Sequence, residues 1–463
     1  MNKTPALLLL CLLLAGPLVG ADEAETQFNF ATGLLIKNEH ALAGDEFEAL
    51  LRNYPNFTQA DIACYRLGEA RQKGGQPDAA RQAFERLLKD FPASDRAPHA
   101  HYWLGQLKSG EDPAAAAKHY AAILAQWPES PIAEAAAYGA AENQFKAGNW
   151  DAAITGCDAL LKSFPHGEQA PNALYTRGWA AFQSEKWELA CSSFGEFVKK
   201  APQNPLAEVA RAKQAQALHR LGRLDEALKL YTELSPLDNE SGLASSIGRA
   251  TLLFERGDTP AAAEAFEAVA KRLAGDPRRP ACLLNAGHAW FATNNFKRAA
   301  AAFEQLTRDH PQDALAPAAA YWLGQAHFRG GDAAKAVATV TPLLDQAALQ
   351  KAHGFDLRLL LAEAQMAQQA YAEAAKAYAS ACQAQPDHRL VPEAWMGELA
   401  ALEKAGQTEA AEKTAAAFLE ALPNHERAAE MRFWLGEFRF RRQAYAEADE
   451  AMAAFLAAAP KHK

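Results

Sequence analysis

The sequence predicts an all-α solenoid of about twelve helix-turn-helix units, each about 37 residues long, and three observations predict it. One small residue recurs as Ala43, Ala80, Ala116, Ala153, Ala190, Ala227, Ala262, Ala299, Ala336, Ala374, Ala411 and Ala448, with gaps of 35 to 38 residues. Two mostly apolar columns follow four and seven residues later, from Phe47 and Leu50 and Phe84 and Leu87 through to Met452 and Phe455. Proline closes most units and Gly or Asn marks a turn inside them. A fixed period over a whole chain is the mark of a repeat architecture. With 49% apolar and 22% charged residues the composition is globular.

The first 21 residues stand apart from the repeats. Lys3, an apolar run from Ala6 to Ala15, the break at Gly16 and Pro17, and the small residues Val19, Gly20 and Ala21 form the three-part pattern of a secretory signal peptide. Residues 1–21 are therefore expected to be removed, leaving 22–463 as a continuous solenoid outside the cytoplasm with no transmembrane segment. The apolar run falls short of the ~20 residues a membrane-spanning helix needs.

Each unit reads as two antiparallel helices. Spacings of four and three place the three columns on one face of the second helix. Alanine leads because two helices approach closely there, and a larger side chain would overpack the contact by about 1–3 kcal/mol. Asn38, Gly75, Gly110, Gly148, Gly222, Gly257, Asn294, Gly331 and Gly406 precede the second helix as turn residues. The first helix shows Leu67-Gly68, Leu104-Gly105, Leu323-Gly324 and Leu435-Gly436, a large residue beside a small one that receives a neighbour. Units are expected to end near 55, 92, 128, 165, 202, 239, 274, 311, 348, 386, 423 and 460.

The Leu-Gly pair, turn Gly, Ala column, following aromatic and terminal Pro resemble the tetratricopeptide repeat (TPR) family over about residues 25–463. Loops such as Phe91-Pro92-Ala93-Ser94 and Trp127-Pro128-Glu129-Ser130 resemble bacterial periplasmic and outer-membrane TPR proteins of the BamD-like and CpoB-like types. The resemblance implies a superhelix with a concave surface, made by the first helices, that holds extended peptides or folded proteins.

A second stripe runs along the first helices at i, i+4 and i+7. It reads Tyr138, Glu142, Phe145; Tyr175, Trp179, Phe182; Leu284, His288, Phe291; Tyr321, Gln325, Phe328; and Phe433, Glu437, Phe440. These residues either wall a partner-binding groove, as aromatic anchors with polar tips do at interfaces, or fill the helix-to-helix core. The partner-binding candidates are Tyr138, Phe145, Tyr175, Trp179, Phe182, His288, Phe291, Tyr321 and Phe328. One residue further on lies a basic row of Lys73, Lys146, Arg220, Arg329, Lys404 and Arg441, of which Arg220 and Arg329 join the candidates. A rim that meets carboxylates and a set of solvated helix ends both account for that row.

Other chemistry finds little support. The net charge of -9, from 47 Lys and Arg against 56 Asp and Glu, lacks the basic footprint of a nucleic-acid binder. No HExxH, GxSxG, Walker or GxGxxG motif occurs. His99 and His101 are two residues apart on a helix and face apart, and the acids Asp61 and Glu69 are scattered. The reading is therefore no catalytic residue, no metal and no cofactor. Cys64, Cys157, Cys191, Cys282 and Cys382 read as small buried hydrophobes; Cys157 and Cys191, on consecutive equivalent helices, are the pair to check for a disulfide. The function expected is an exported scaffold that binds protein or peptide partners of the cell envelope, including outer-membrane assembly. The alternative is a polysaccharide- or peptidoglycan-binding accessory protein.

Overall fold

The computed structural model describes residues 16–458, which form 24 α-helices, one short 3-10 helix and no strand. The hydrophobic run expected to be a signal peptide lies mostly outside the described residues; only residues 16–21 belong to the first helix. The chain divides into two compact units, one ending at Leu230 and one starting at Tyr231.

In the first unit the hairpins are α1 (Gly16–Ile36) with α2 (His40–Asn53), α3 (Ala60–Lys73) with α4 (Pro77–Asp90), and α5 (Ala97–Lys108) with α6 (Pro113–Gln126). They continue with α7 (Ala133–Lys146) and α8 (Trp150–Ser163), α9 (Ala170–Gln183) and α10 (Trp187–Lys200), and α11 (Ala207–Arg220). Its partner α12 (Leu224–Leu234) contains the boundary between the units. The second unit holds α13 (Glu240–Glu255) with α14 (Thr259–Arg272), α15 (Arg279–Ala292) with α16 (Phe296–Asp309), and α17 (Ala316–Arg329) with α18 (Ala333–Val340). It ends with α19 (Ala347–Ala367) and α20 (Tyr371–Ala384), α21 (Val391–Lys404) and α22 (Thr408–Ala421), and α23 (Ala428–Arg441) and α24 (Tyr445–Ala458). Within each unit helices pack on their chain neighbours, and first helices also touch one another, as in α1 with α3, α7 with α9, and α17 with α19.

Burial follows the columns. All twelve alanines of the leading column are buried, and so are the residues four and seven positions later in the first eleven hairpins. Twelve positions before each alanine, eleven in the third hairpin, the first helix carries a residue whose size complements the column. A Cβ on Gly68 would lie 2.5 Å from the Phe84 ring, and one on Gly324 would lie 2.6 Å from Val340. In the eleventh hairpin the sizes are exchanged, with Leu399 and Ala415 both buried at the equivalent places. Close packing demands this reciprocity, because a large pair would clash and a small pair would leave a cavity.

The turns inside hairpins pass through a left-handed residue five before the alanine. The sequence shows it as Gly or Asn at most positions, while Glu185, Gln369 and Gln443 take the same role with φ of 58, 64 and 69°. Gly110 was expected among the turn residues but is not left-handed; the spacing around the third hairpin is one residue shorter. Loops between hairpins repeat one chain of turns. Phe91 N–H donates to Leu87 O, Ser94 N–H to Phe91 O, and Ala97 N–H to Ser94 O. The same pattern recurs at Trp127, Ser130 and Ala133 and at Phe164, Gly167 and Ala170.

The ninth hairpin departs from the period. Pro342 sits in the 3-10 helix Thr341–Asp345, so α18 stops after eight residues. The unit expected to end near 348 breaks at Gln346, and helix takes the place of the loop that follows other units, because α19 begins at Ala347 and continues through a kink at His353 (φ -137°, ψ 20°).

Candidate functional site

The aromatic stripe occupies a position between the two expected ones. Tyr138, Phe145, Tyr175, Trp179, Phe182, His288, Phe291, Tyr321 and Phe328 are all half-buried. Each lies on a first helix, with one side against apolar neighbours and part of the ring accessible.

In the first unit, Tyr175 rests on Phe194 and Phe197 of α10, with ring centroids 6.1 and 5.2 Å away. Trp179 meets Tyr175, Phe182 and Phe194 edge-to-face at 6.1 to 6.3 Å. The Lys213 ammonium, from α11, stands 5.0 Å from the centroids of both Trp179 and Phe182. Burial beside these rings lowers the Lys213 pKa. Tyr138 on α7 places its hydroxyl 3.5 Å from Thr176 Oγ1 on α9, and burial raises its pKa, keeping it a neutral phenol.

In the second unit, His288 meets Phe303 at 5.4 Å and Trp322 at 4.9 Å, both edge-to-face. Burial lowers its pKa, so the ring is neutral at pH 7. Tyr321 stacks on His353 with centroids 5.0 Å apart and accepts a hydrogen bond from Gln325 Nε2 at 3.2 Å. Phe328 packs beside Tyr321 against the neighbouring core.

Three stripe members also have a structural task. Phe145 pairs with Trp150, Phe182 with Trp187 and Phe291 with Phe296, each at 5.1 Å across the hairpin turn. These pairs brace the turn that reverses the chain. Half of the basic row is held by a carboxylate on its own helix. Lys73 pairs with Glu69 at 2.8 Å, Lys146 with Glu142 at 3.1 Å and Arg441 with Glu437 at 2.9 Å. Arg220 and Arg329 are exposed at the ends of α11 and α17.

Sequence reasoning passed over Lys213, Trp322 and His353, which lie off the i, i+4, i+7 pattern. It also passed over Tyr65 and Tyr102, which precede Tyr138 by two repeats and by one and complete a ladder of tyrosines on α3, α5, α7 and α9. Column alignment alone would have found those two. Asp61 accepts from Ser94 Oγ at 2.6 Å, a loop-holding role. His101 does face away from His99, and its Nδ1 lies 3.1 Å from Nδ1 of His119 on α6. Among the described residues no group of three metal-ligating side chains assembles. Cys157 and Cys191 are separate free thiols, both buried, and burial pushes the Cys157 pKa up to about 12.

A family model of the tetratricopeptide repeat matches residues 65–131, 107–173, 175–241, 247–314, 284–341 and 392–463. The chain belongs to the tetratricopeptide repeat family. TPR arrays are protein–protein interaction scaffolds, and their stacked helices supply the extended surface for that role. No protein of curated function matches the sequence. Among solved structures the chain is similar to the Naa15/Naa10 complex bound to HypK-THB, at 14% identity over 93% of this chain and 68% of that one, with a TM-score of 0.42. It is also similar to a tetratricopeptide repeat protein from Parabacteroides merdae, at 17% identity over 58% of this chain and 99% of that one (TM-score 0.37). A third likeness is the C-terminal part of a TPR protein from Cytophaga hutchinsonii, at 15% identity over 63% of this chain and 98% of that one (TM-score 0.38). Among the described residues no helix is long and apolar enough to cross a membrane.

Proposed function

We propose that this TPR scaffold is exported and holds a protein or peptide partner of the bacterial cell envelope on the first-helix faces of its units, in the assembly of an envelope or outer-membrane complex. The observation that carries the reading is the set of half-buried aromatics on adjacent first helices. Tyr138, Tyr175 and Trp179 are backed by packed neighbours on one side and accessible on the other. Such rings present large area and a polar tip while losing little rotamer freedom, the properties of binding anchors. Export is supported by Lys3, the apolar run ending at Ala15 and the small residues up to Ala21.

Photo-crosslinking amino acids placed at Tyr138, Tyr175 and Tyr321 in the producing cell test the reading, with the exposed second-helix residue Lys199 as control. The expected result is one protein species crosslinked from the aromatic sites and absent from the control. If no protein crosslinks while glycans bind the purified chain and Trp179→Ala abolishes that binding, the polysaccharide reading replaces it. N-terminal sequencing of the exported chain is expected to start at Asp22.

A further inference from the structure

A separate cleft of about 450 Å³ opens on the first-helix side of the first unit, between the end of α1, the length of α3 and the residue preceding α5. Leu35, Ile36 and Ile62 form its apolar walls, with Ile36 75% exposed. Two guanidinium groups border it. The Arg66 carbon lies 5.7 Å from the Phe28 centroid and that of Arg96 lies 5.8 Å from the Tyr65 centroid.

These two arginines differ from others in the chain. Arg71 holds Asp45 and Glu48, Arg177 holds Asp158 and Glu196, and Arg278 holds Glu240 and Asp276. Arg66 and Arg96 make no ion pair with any described residue, while the remaining cation of the cleft, Lys73, is neutralised by Glu69 at 2.8 Å. Two uncompensated positive charges thus border a hollow with one apolar side, Leu35, Ile36 and Ile62, in a chain whose net charge is -9. Guanidinium groups placed beside aromatic rings keep N–H donors available for a carboxylate.

We propose that this cleft binds an internal acidic segment of a protein partner. An apolar side chain sits against Leu35, Ile36 and Ile62, and flanking carboxylates meet Arg66 and Arg96. The inference rests on the scaffold reading and uses, of the tyrosine ladder, only Tyr65 beside Arg96; it uses none of the residues chosen for crosslinking. A bare anion would leave the apolar walls uncovered, and an uncharged apolar segment would leave the two arginines unmatched.

Fluorescence anisotropy on the full chain tests it, using an amidated peptide of one Leu flanked on each side by two Glu, with fluorescein on its N-terminus. The expected result is saturable binding that a peptide with Lys in place of Glu does not show. Arg66→Gln and Arg96→Gln should each weaken binding about 10-fold or more, and Lys146→Gln should leave it unchanged. Ile36→Glu, at an exposed position, should weaken it comparably without disturbing the core. Equal binding of the Lys peptide would overturn the proposal, as would unchanged affinity in both the Arg variants and Ile36→Glu. Displacement by equimolar inorganic phosphate would also overturn it, reducing the cleft to a general anion site. Peptide binding here with no crosslink from Tyr138, Tyr175 or Tyr321 would keep this cleft and remove the aromatic stripe from the binding surface.

Discussion

Gly68→Ala is the sharpest probe of how the hairpins close. An added Cβ would meet Phe84 Cε1 at 2.5 Å, Cζ at 2.7 Å and Cδ1 at 2.8 Å. The ring must move about 1 Å to regain ordinary contact. It has little room, because Phe84 is fully buried, Trp103 lies parallel to it with centroids 6.2 Å apart, and Tyr65 stands at 5.9 Å. Overpacking of this kind costs about 1–3 kcal/mol. Against it stands the gain of about 1 kcal/mol for Ala over Gly inside a helix. The net expectation is a loss of roughly 0–2 kcal/mol. Phe84→Ala alone should cost about 3–5 kcal/mol, but in its background Gly68→Ala meets no ring and should stabilise by about 1 kcal/mol. The double-mutant cycle should therefore show a coupling of about 1–3 kcal/mol. Hydrogen exchange on peptides covering residues 60–90 reads the opening energy of this hairpin directly, which suits a repeat array whose unfolding need not be all-or-none. Equal effects of Gly68→Ala in both backgrounds would refute the packing argument.

Other consequences follow from single contacts. Glu185→Gly should stabilise the fifth hairpin by roughly 1 kcal/mol, since Glu185 holds φ at 58° where glycine pays little; a lower urea midpoint would count against it. The His101 and His119 rings lie with Nδ1 atoms 3.1 Å apart, and desolvation, then the neighbouring imidazole, lowers the His101 pKa from 6.5 to about 4. Both groups have lowered folded values, so their contribution is present above pH 6.5 and is lost as the pH falls, for His101 through about 4. For a fully buried group this would amount to about 3 kcal/mol, and solvent screening at this half-buried site reduces it to about 1–2 kcal/mol. Urea midpoints at pH 7.5 and 5 should therefore differ less in a His101→Gln, His119→Gln variant than in the parent, and equal differences would sink the assignment. Phe182→Ala should loosen the turn it braces with Trp187 and return the Lys213 pKa towards its ordinary value; NMR titration of Lys213 Nζ checks the second effect, and an unchanged value would contradict the role given to the ring.

The amino-acid order alone determined the helical hairpin, its repetition and most of the core. These depend on spacing along one chain, and Ala43, Phe47 and Leu50 share a helix face wherever the helix is placed. The left-handed turns were legible where Gly or Asn marked them and hidden at Glu185, Gln369 and Gln443, because surrounding packing holds those residues in a conformation their own preferences do not favour. Pro342 was visible, but the replacement of the next inter-hairpin loop by helix depended on how the chain after it folded into α19. Pairings between helices were decided only in three dimensions. Arg66 and Arg96 look like any other surface cations in the sequence, and His101 is paired with a residue 18 positions away. Whether a charge is neutralised or an aromatic ring is covered depends on what neighbouring helices bring to it, and that information is not carried by the period of any one helix.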